Sequence, residues 1–123
     1  MFSLHVDTAR TWRGGQNQVL LTVNGLRSIG QRAALVAHPD GELRRRAAEG
    51  LDLIPIAPRT EMDLSAAWKF SRVIKRLAPD VIHAHDPHGV AMAALALSMS
   101  TQLDKPPLVA ARRVDFHIKG NAL

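Results

Sequence analysis

Residues 78–98 read "APDVIHAHDPHGVAMAALALS", and the fold turns on how this run divides. Ala78-Pro79 closes a helix, because the residue before a proline is pushed out of the α region. Asp80 to Ala84 carries the β-branched pair Val81 and Ile82 and reads as a strand. From about His88 to Ser98 the run is apolar almost all round, which calls for a helix sandwiched between layers. A strand entered from one helix and left through another is the βα rhythm of a mostly parallel sheet with both faces covered.

The same rhythm extends in both directions. Phe2 to Val6 is a candidate strand, followed by a polar, glycine-bearing loop over Asp7 to Gly15. A helix is expected from about Gln16 to Ile29, with Val19, Leu20, Val23, Leu26 and Ile29 on its apolar stripe and Gly30 as its stop. Ala33 to Ala37 is a second strand, closed by His38 and the turn Pro39-Asp40-Gly41. A two-turn helix over Leu43 to Glu49 and a strand over Leu51 to Ile56 follow, with Pro55 making the latter edge-like. Asp63 is placed to cap a helix over Leu64 to Ala78, buried through Leu64, Ala67, Trp68, Ile74 and Leu77. Leu108 to Ala111 supplies a fifth strand. The fold class is therefore α/β, three layers around a mostly parallel sheet.

Composition sets the outer bounds. A chain of 123 residues is one domain's worth, and 46% hydrophobic with 22% charged residues is ordinary for a globular chain. Aromatics are only 4%, so Leu, Val, Ile and Ala must build the core. A net charge of +5 favours anionic partners. The run Arg44-Arg45-Arg46 reads first as a solvated helix face and second as a partner-binding patch. Cysteine is absent, which removes disulfide and thiolate chemistry and fits a reducing compartment. No apolar run reaches the ~18 residues of a membrane span, and peripheral membrane contact stays open. Basic charge without an aromatic platform or known module ranks nucleic acid low among partners.

In a doubly wound sheet, ligands sit beyond the carboxyl ends of the strands, where the strand order reverses. Three polar segments follow strands one, four and five: "WRGGQNQ", "HAHDPHG" and "RRVDFH". Gly14 and Gly15 open a helix, so backbone and ligand can approach closely and free N–H groups can meet a phosphate or carboxylate. A plain tight turn explains the pair equally well, since neither the dinucleotide fingerprint nor the P-loop is present. Trp12 and Arg13 either cap a bound group or pack at the surface. Strand periodicity puts Val81, His83 and His85 on one face. His83 lies deeper and reads as structural, whereas His85 at the strand terminus reaches the crevice. Asp86 is placed to orient His85 or a neighbour, and His88 starts a helix where an anion is favoured. Arg112 and Arg113 alternate faces, one gripping a phosphate or carboxylate, with Asp115 as an ion-pair partner. A zinc set of His83, His85 and His88 also fits the residue types. Its spacing departs from the His-x-His-x-Asp-His of metallo-β-lactamase-like hydrolases, because the aspartate stands one position early.

"HVDTARTWRGGQNQVLLTVNGL", "DVIHAHDPHGVAMAALA" and "VAARRVDF" together resemble the N-terminal, acceptor-side domain of retaining, nucleotide-sugar-dependent glycosyltransferases with the two-domain GT-B fold. The resemblance runs over essentially all of the chain. It implies a Rossmann-like domain and sugar transfer from a nucleotide-sugar donor to a hydroxyl on a saccharide or lipid acceptor, as in cell-envelope saccharide synthesis. It implies that Gly14 and Gly15 approach the donor diphosphate and acceptor, and that His85 contacts the transferred sugar. Arg112, Arg113 and Asp115 match the acceptor side, and Arg13 and His88 lie close to the same cleft. It implies no separate cofactor and a cytoplasmic location, with peripheral membrane contact as the alternative.

In this family a second domain supplies most donor contacts. "VDFHIKGNAL" after Arg113 carries no sequence pattern of a closing helix or strand. The expectation is therefore residues 1–123 as a partial N-terminal domain, inactive alone, without its C-terminal donor-binding domain. Two rivals stand beside this reading: a non-catalytic α/β domain that binds a phosphoryl ligand or a partner, and a metal-dependent hydrolase.

Overall fold

The computed structural model describes residues 1–47, 52–60 and 62–111. Nine elements alternate in chain order: β1 (Phe2–Asp7), α1 (Gly14–Ser28), β2 (Arg32–Ala37), α2 (Glu42–Arg46), β3 (Asp52–Pro55), α3 (Leu64–Leu77), β4 (Val81–Ala84), α4 (Pro87–Met99) and β5 (Leu108–Ala110). The strands form one sheet in the order β3-β2-β1-β4-β5, with every pairing parallel. The expected mostly parallel sheet is thus wholly parallel among the described residues, and the domain is a three-layer α/β/α, Rossmann-like unit.

The strand order explains why β1 is buried at all six positions: it lies at the centre, between β2 and β4. Its even-numbered residues feed one of two cores, and the polar Ser3, His5 and Asp7 face the other way. Leu4 and Val6 join Ala34, Val36, Ile82 and Ala84 under α3 and α4, where Phe70 and Met92 fill the layer. Ala33, Leu35 and Ala37 of β2 face the opposite way, under Val19 and Val23 of α1 and Leu43 of α2. Pro55 ends β3 on the sheet edge, where its missing N–H costs no ladder bond.

The helix ends follow local chemistry. Asp63 caps α3, its Oδ1 accepting from Ala66 N at 3.1 Å and its Oδ2 from Arg59 N at 2.9 Å. Those backbone donors, Arg59 first and then Ala66, hold the Asp63 carboxyl below its ordinary range. Gly30 adopts φ +86° just after α1, as its position suggested. At the end of α3, Ala78 takes the left-handed conformation at φ 48° although it carries a Cβ.

Some expected burials fail. Ile29 is 71% exposed because α1 ends at Ser28, before the stripe returns to the sheet. Ala67 and Ile74 are buried as expected and Leu77 packs against the core, but Leu64 and Trp68 are exposed, and Ala66, Phe70 and Val73 complete a stripe rotated from the expected one. Trp68 is covered on one side by the Arg72 guanidinium, 5.1 Å from the ring centroid. Helix α4 packs on α3 and on β1, β4 and β5, but Ala94 and Ser98 face solvent. It is covered on one side rather than sandwiched, which its small outer residues tolerate. Among the described residues no helix is long and apolar enough to cross a membrane.

Candidate functional site

The strand order reverses between β1 and β4, since the chain moves one way from β1 to β2 and β3 and the other way to β4 and β5. The carboxyl ends of these two central strands run into the N-termini of α1 and α4. A cavity of about 630 Å³ lies there, lined by Arg13, Gly14, Gly15, His85 and His88 among others. The sequence had assigned these five positions to one crevice, and the structure brings them together. A second cavity, about 640 Å³, lies beside the α3 N-terminus between Ile56, Arg59 and Lys69. It is away from the reversal point and contains none of the expected residues, so the first cavity is the better candidate by topology.

Each wall has a local cause. Arg13 is the residue before α1, and its N–H donates to Gln16 Oε1 at 3.0 Å, fixing the entry of the helix. A Cβ built on Gly14 meets nothing within 4 Å, so the space above this backbone is open to a ligand. Trp12 is a packing residue: it lies against the core under α1, with the Arg46 guanidinium 4.2 Å from its ring centroid. Arg44, Arg45 and Arg46 are exposed, the last two paired with Glu42, which supports a solvated face. Pro87 occupies the first turn of α4, where its fixed φ suits the helix start, and His88 follows it, exposed to the cavity. The starts of two helices therefore border one cavity, and the positive end of a helix dipole is suited to anionic oxygen.

Two buried aspartates brace the loops, and the sequence reading assigned them no such role. Asp7, fully buried at the end of β1, accepts from both Gln16 Nε2 (3.2 and 3.1 Å) and Ala9 N (3.1 Å). Asp86 accepts from Thr8 N at 3.0 Å and from Thr8 Oγ1 at 2.6 Å, clamping the loop after β4 to the loop after β1. Asp86 was expected to orient His85 or a neighbour, and its carboxylate holds Thr8 instead. Gly89 is required for this clamp, because a Cβ there would collide with Asp86 Oδ1 and stand 3.1 Å from Val6 Cγ1.

His85 is oriented by a residue the sequence reading passed over. His5 Nδ1 and His85 Nε2 form a hydrogen bond of 3.0 Å, and His5 Nε2 pairs with Ser3 Oγ at 2.9 Å. Burial, with the neighbouring His83 second, pushes the His5 imidazole down to about 4, so it is neutral at pH 7. The expected depth order of the pair on β4 is reversed: His85 is buried and His83 only partly so. His85 crosses the end of β1, with its N–H bonded to Val6 O, whereas His83 lies on the outward side of β1, toward the edge strand β5. The zinc set of His83, His85 and His88 is not the one assembled: His5 takes the place of His88 in the only three-histidine group among the described residues. Arg112, Arg113 and Asp115 lie outside the described residues.

A wholly parallel α/β/α domain whose cavity falls at the β1/β4 reversal is what half of a GT-B enzyme looks like. The family model for Glycosyltransferase Family 4 matches residues 12–112, and the chain belongs to that family. No curated protein matches the chain. Among solved structures it is similar to MurG of Acinetobacter baumannii, with TM-score 0.68 and 16% identity over 88% of this chain and 34% of that one. It is also similar to the lipopolysaccharide outer core galactosyltransferase WaaB in its apo form, with TM-score 0.68 and 8% identity over 89% of this chain and 32% of that one. The chain thus spans about a third of the length of either structure.

Proposed function

We propose that this domain forms one wall of a retaining glycosyltransferase site, in a full-length protein whose second domain binds the nucleotide-sugar donor. The observation that carries the reading is the single cavity where the starts of α1 and α4 meet His85 at the strand-order reversal. Family membership supports the reaction class. The shared architecture supports a two-domain setting, since this chain matches about a third of each solved relative.

In the proposed reaction the bond from the sugar's anomeric carbon to the diphosphate breaks, and a bond from that carbon to the acceptor hydroxyl oxygen forms. The hydroxyl proton passes to the leaving phosphate, and the anomeric configuration is retained. Negative charge grows on the diphosphate as the bond breaks. Fixed N–H dipoles at Gly14 and Gly15 stabilise it without reorganising, which is worth more in a site closed from water. His85 positions the sugar ring and is not a nucleophile. A rigid mount is what such positioning needs, and the His5 contact supplies one. His88 and Arg13 add polar reach at the cavity rim, and Arg112, Arg113 and Asp115 serve the acceptor side.

The acceptor class proposed is a cell-envelope saccharide or lipid-linked hydroxyl, in line with WaaB, the lipopolysaccharide outer core galactosyltransferase of similar fold. The location proposed is cytoplasmic, at or near a membrane surface. The isolated 1–123 chain is proposed to turn over little or no substrate. The test is a transfer assay on the full-length protein with a panel of nucleotide sugars, scoring the anomer formed. Hydrolysis without transfer, or an inverted product, would overturn the reading.

A further inference from the structure

His5 and His83 are direct partners in the β1–β4 pairing, and His85 follows His83 by two residues. All three side chains therefore leave the same face of two adjacent strands, at neighbouring rungs. One ligand nitrogen from each lies within 4.8 Å of the other two. We propose that His5, His83 and His85 form a binding site for a divalent cation of borderline softness, Zn²⁺ foremost.

The strand register makes the case, because it fixes the three backbones whatever the rotamers do. A His-x-His pair on one strand and a third histidine on its neighbour can present three nitrogens to one point. In a tetrahedral zinc site, with Zn–N about 2.0–2.1 Å, ligand nitrogens stand about 3.3 Å apart. His5 Nδ1 and His85 Nε2 are already 3.0 Å apart, so this pair needs to open only slightly. The His83 and His85 rings, stacked with centroids 4.0 Å apart and planes at 30°, must splay for their nitrogens to converge. His83 has room to do so, being only partly buried.

An outer shell is in place as well. Ser3 Oγ lies 2.9 Å from His5 Nε2, the nitrogen that would point away from the ion, and its hydroxyl can accept the Nε2 proton of the tautomer whose Nδ1 coordinates. Imidazole ligands select zinc and its neighbours over magnesium or calcium. Three histidines leave a fourth position for water or an anionic oxygen. The competing account of the same geometry is a metal-free stack of hydrogen-bonded neutral imidazoles.

The inference shares His85 with the sugar-transfer reading, but its test is separate, because cation binding is measured without any substrate. The full 1–123 chain, stripped with a chelator, is titrated with Zn²⁺ by calorimetry and with Co²⁺ by visible absorption. Expected are one equivalent of Zn²⁺ and the intense visible bands of four-coordinate Co²⁺. His5→Gln and His83→Gln should each weaken binding by more than ~100-fold, and Ser3→Ala by roughly 10-fold, the usual size of an outer-shell effect. His38→Gln and His88→Gln should leave it unchanged. Imidazole NMR of the unmutated protein gives a readout free of any folding defect: Zn²⁺ should shift His5, His83 and His85 together. Substoichiometric binding, a six-coordinate Co²⁺ spectrum, or shifts confined to other histidines would overturn the proposal in favour of the metal-free stack.

Discussion

His5 and His85 are 80 residues apart in the chain and 3.0 Å apart at their ring nitrogens. The contact ties the first strand to the site residue at the end of the fourth, and Ser3 completes the chain of hydrogen bonds. It also makes the domain's stability depend on pH. His5 has a pKa of about 4 when folded and 6.5 as a free side chain, so the unfolded state takes up the proton first. The contribution is full above pH 6.5 and is lost as pH falls toward 4, by roughly 3 kcal/mol at most. In metal-free protein, urea midpoints measured between pH 7 and pH 4 should fall more steeply for wild type than for His5→Gln. Parallel pH profiles would count against a buried neutral His5.

The Asp86–Thr8 clamp should fail when Gly89 gains a methyl group. Gly89→Ala forces its Cβ into Asp86 Oδ1 and crowds Val6. A loss of about 1–3 kcal/mol is expected from overpacking at a site that cannot give way. Thermal melts of Gly89→Ala and Thr8→Val separate the causes, since Thr8→Val removes only the 2.6 Å hydroxyl bond and should cost less.

Gly14 offers the opposite test. Space for a Cβ is open, and alanine is the better helix former by up to about 1 kcal/mol, so Gly14→Ala should melt no lower than wild type. The same methyl group would be added to a residue that lines the cavity. In the full-length protein it should weaken donor binding by on the order of tenfold, about 1.4 kcal/mol. Unchanged affinity would remove Gly14 from the proposed site.

Ala78 holds a left-handed φ of 48° at the end of α3. Glycine relieves the Cβ clash there but adds freedom to the unfolded chain, leaving an expected net gain of up to about 1 kcal/mol for Ala78→Gly. A denaturant midpoint that moves down would show that Ala78 is not strained.

How much of this was legible in the sequence depends on the range of the interaction. The βα rhythm, the Asp63 cap, the Gly30 stop and the edge position of Pro55 are local, and all appear where the residues placed them. His85, Gly14 and Gly15 were placed at one crevice because βα loops in such a sheet share one end. The partners of that site were not legible. Thr8 meets Asp86 across 78 residues and His5 meets His85 across 80, and only the β1–β4 pairing brings them together. Trp68 and Leu64 misled because α3 turns a stripe centred on Phe70 toward the sheet, and helical spacing alone does not say which of two adjacent stripes is inward.

The central claim is that the cavity beside His85 is a sugar-transfer site. The most direct measurement is single-turnover transfer by the full-length protein, wild type against His85→Ala, with the product anomer read by NMR and both proteins checked by thermal melting. The expected result is a retained anomeric configuration and a rate lowered by on the order of 10²-fold in a variant that still folds, the scale of a lost positioning contact. Equal rates in a folded His85→Ala protein would contradict it.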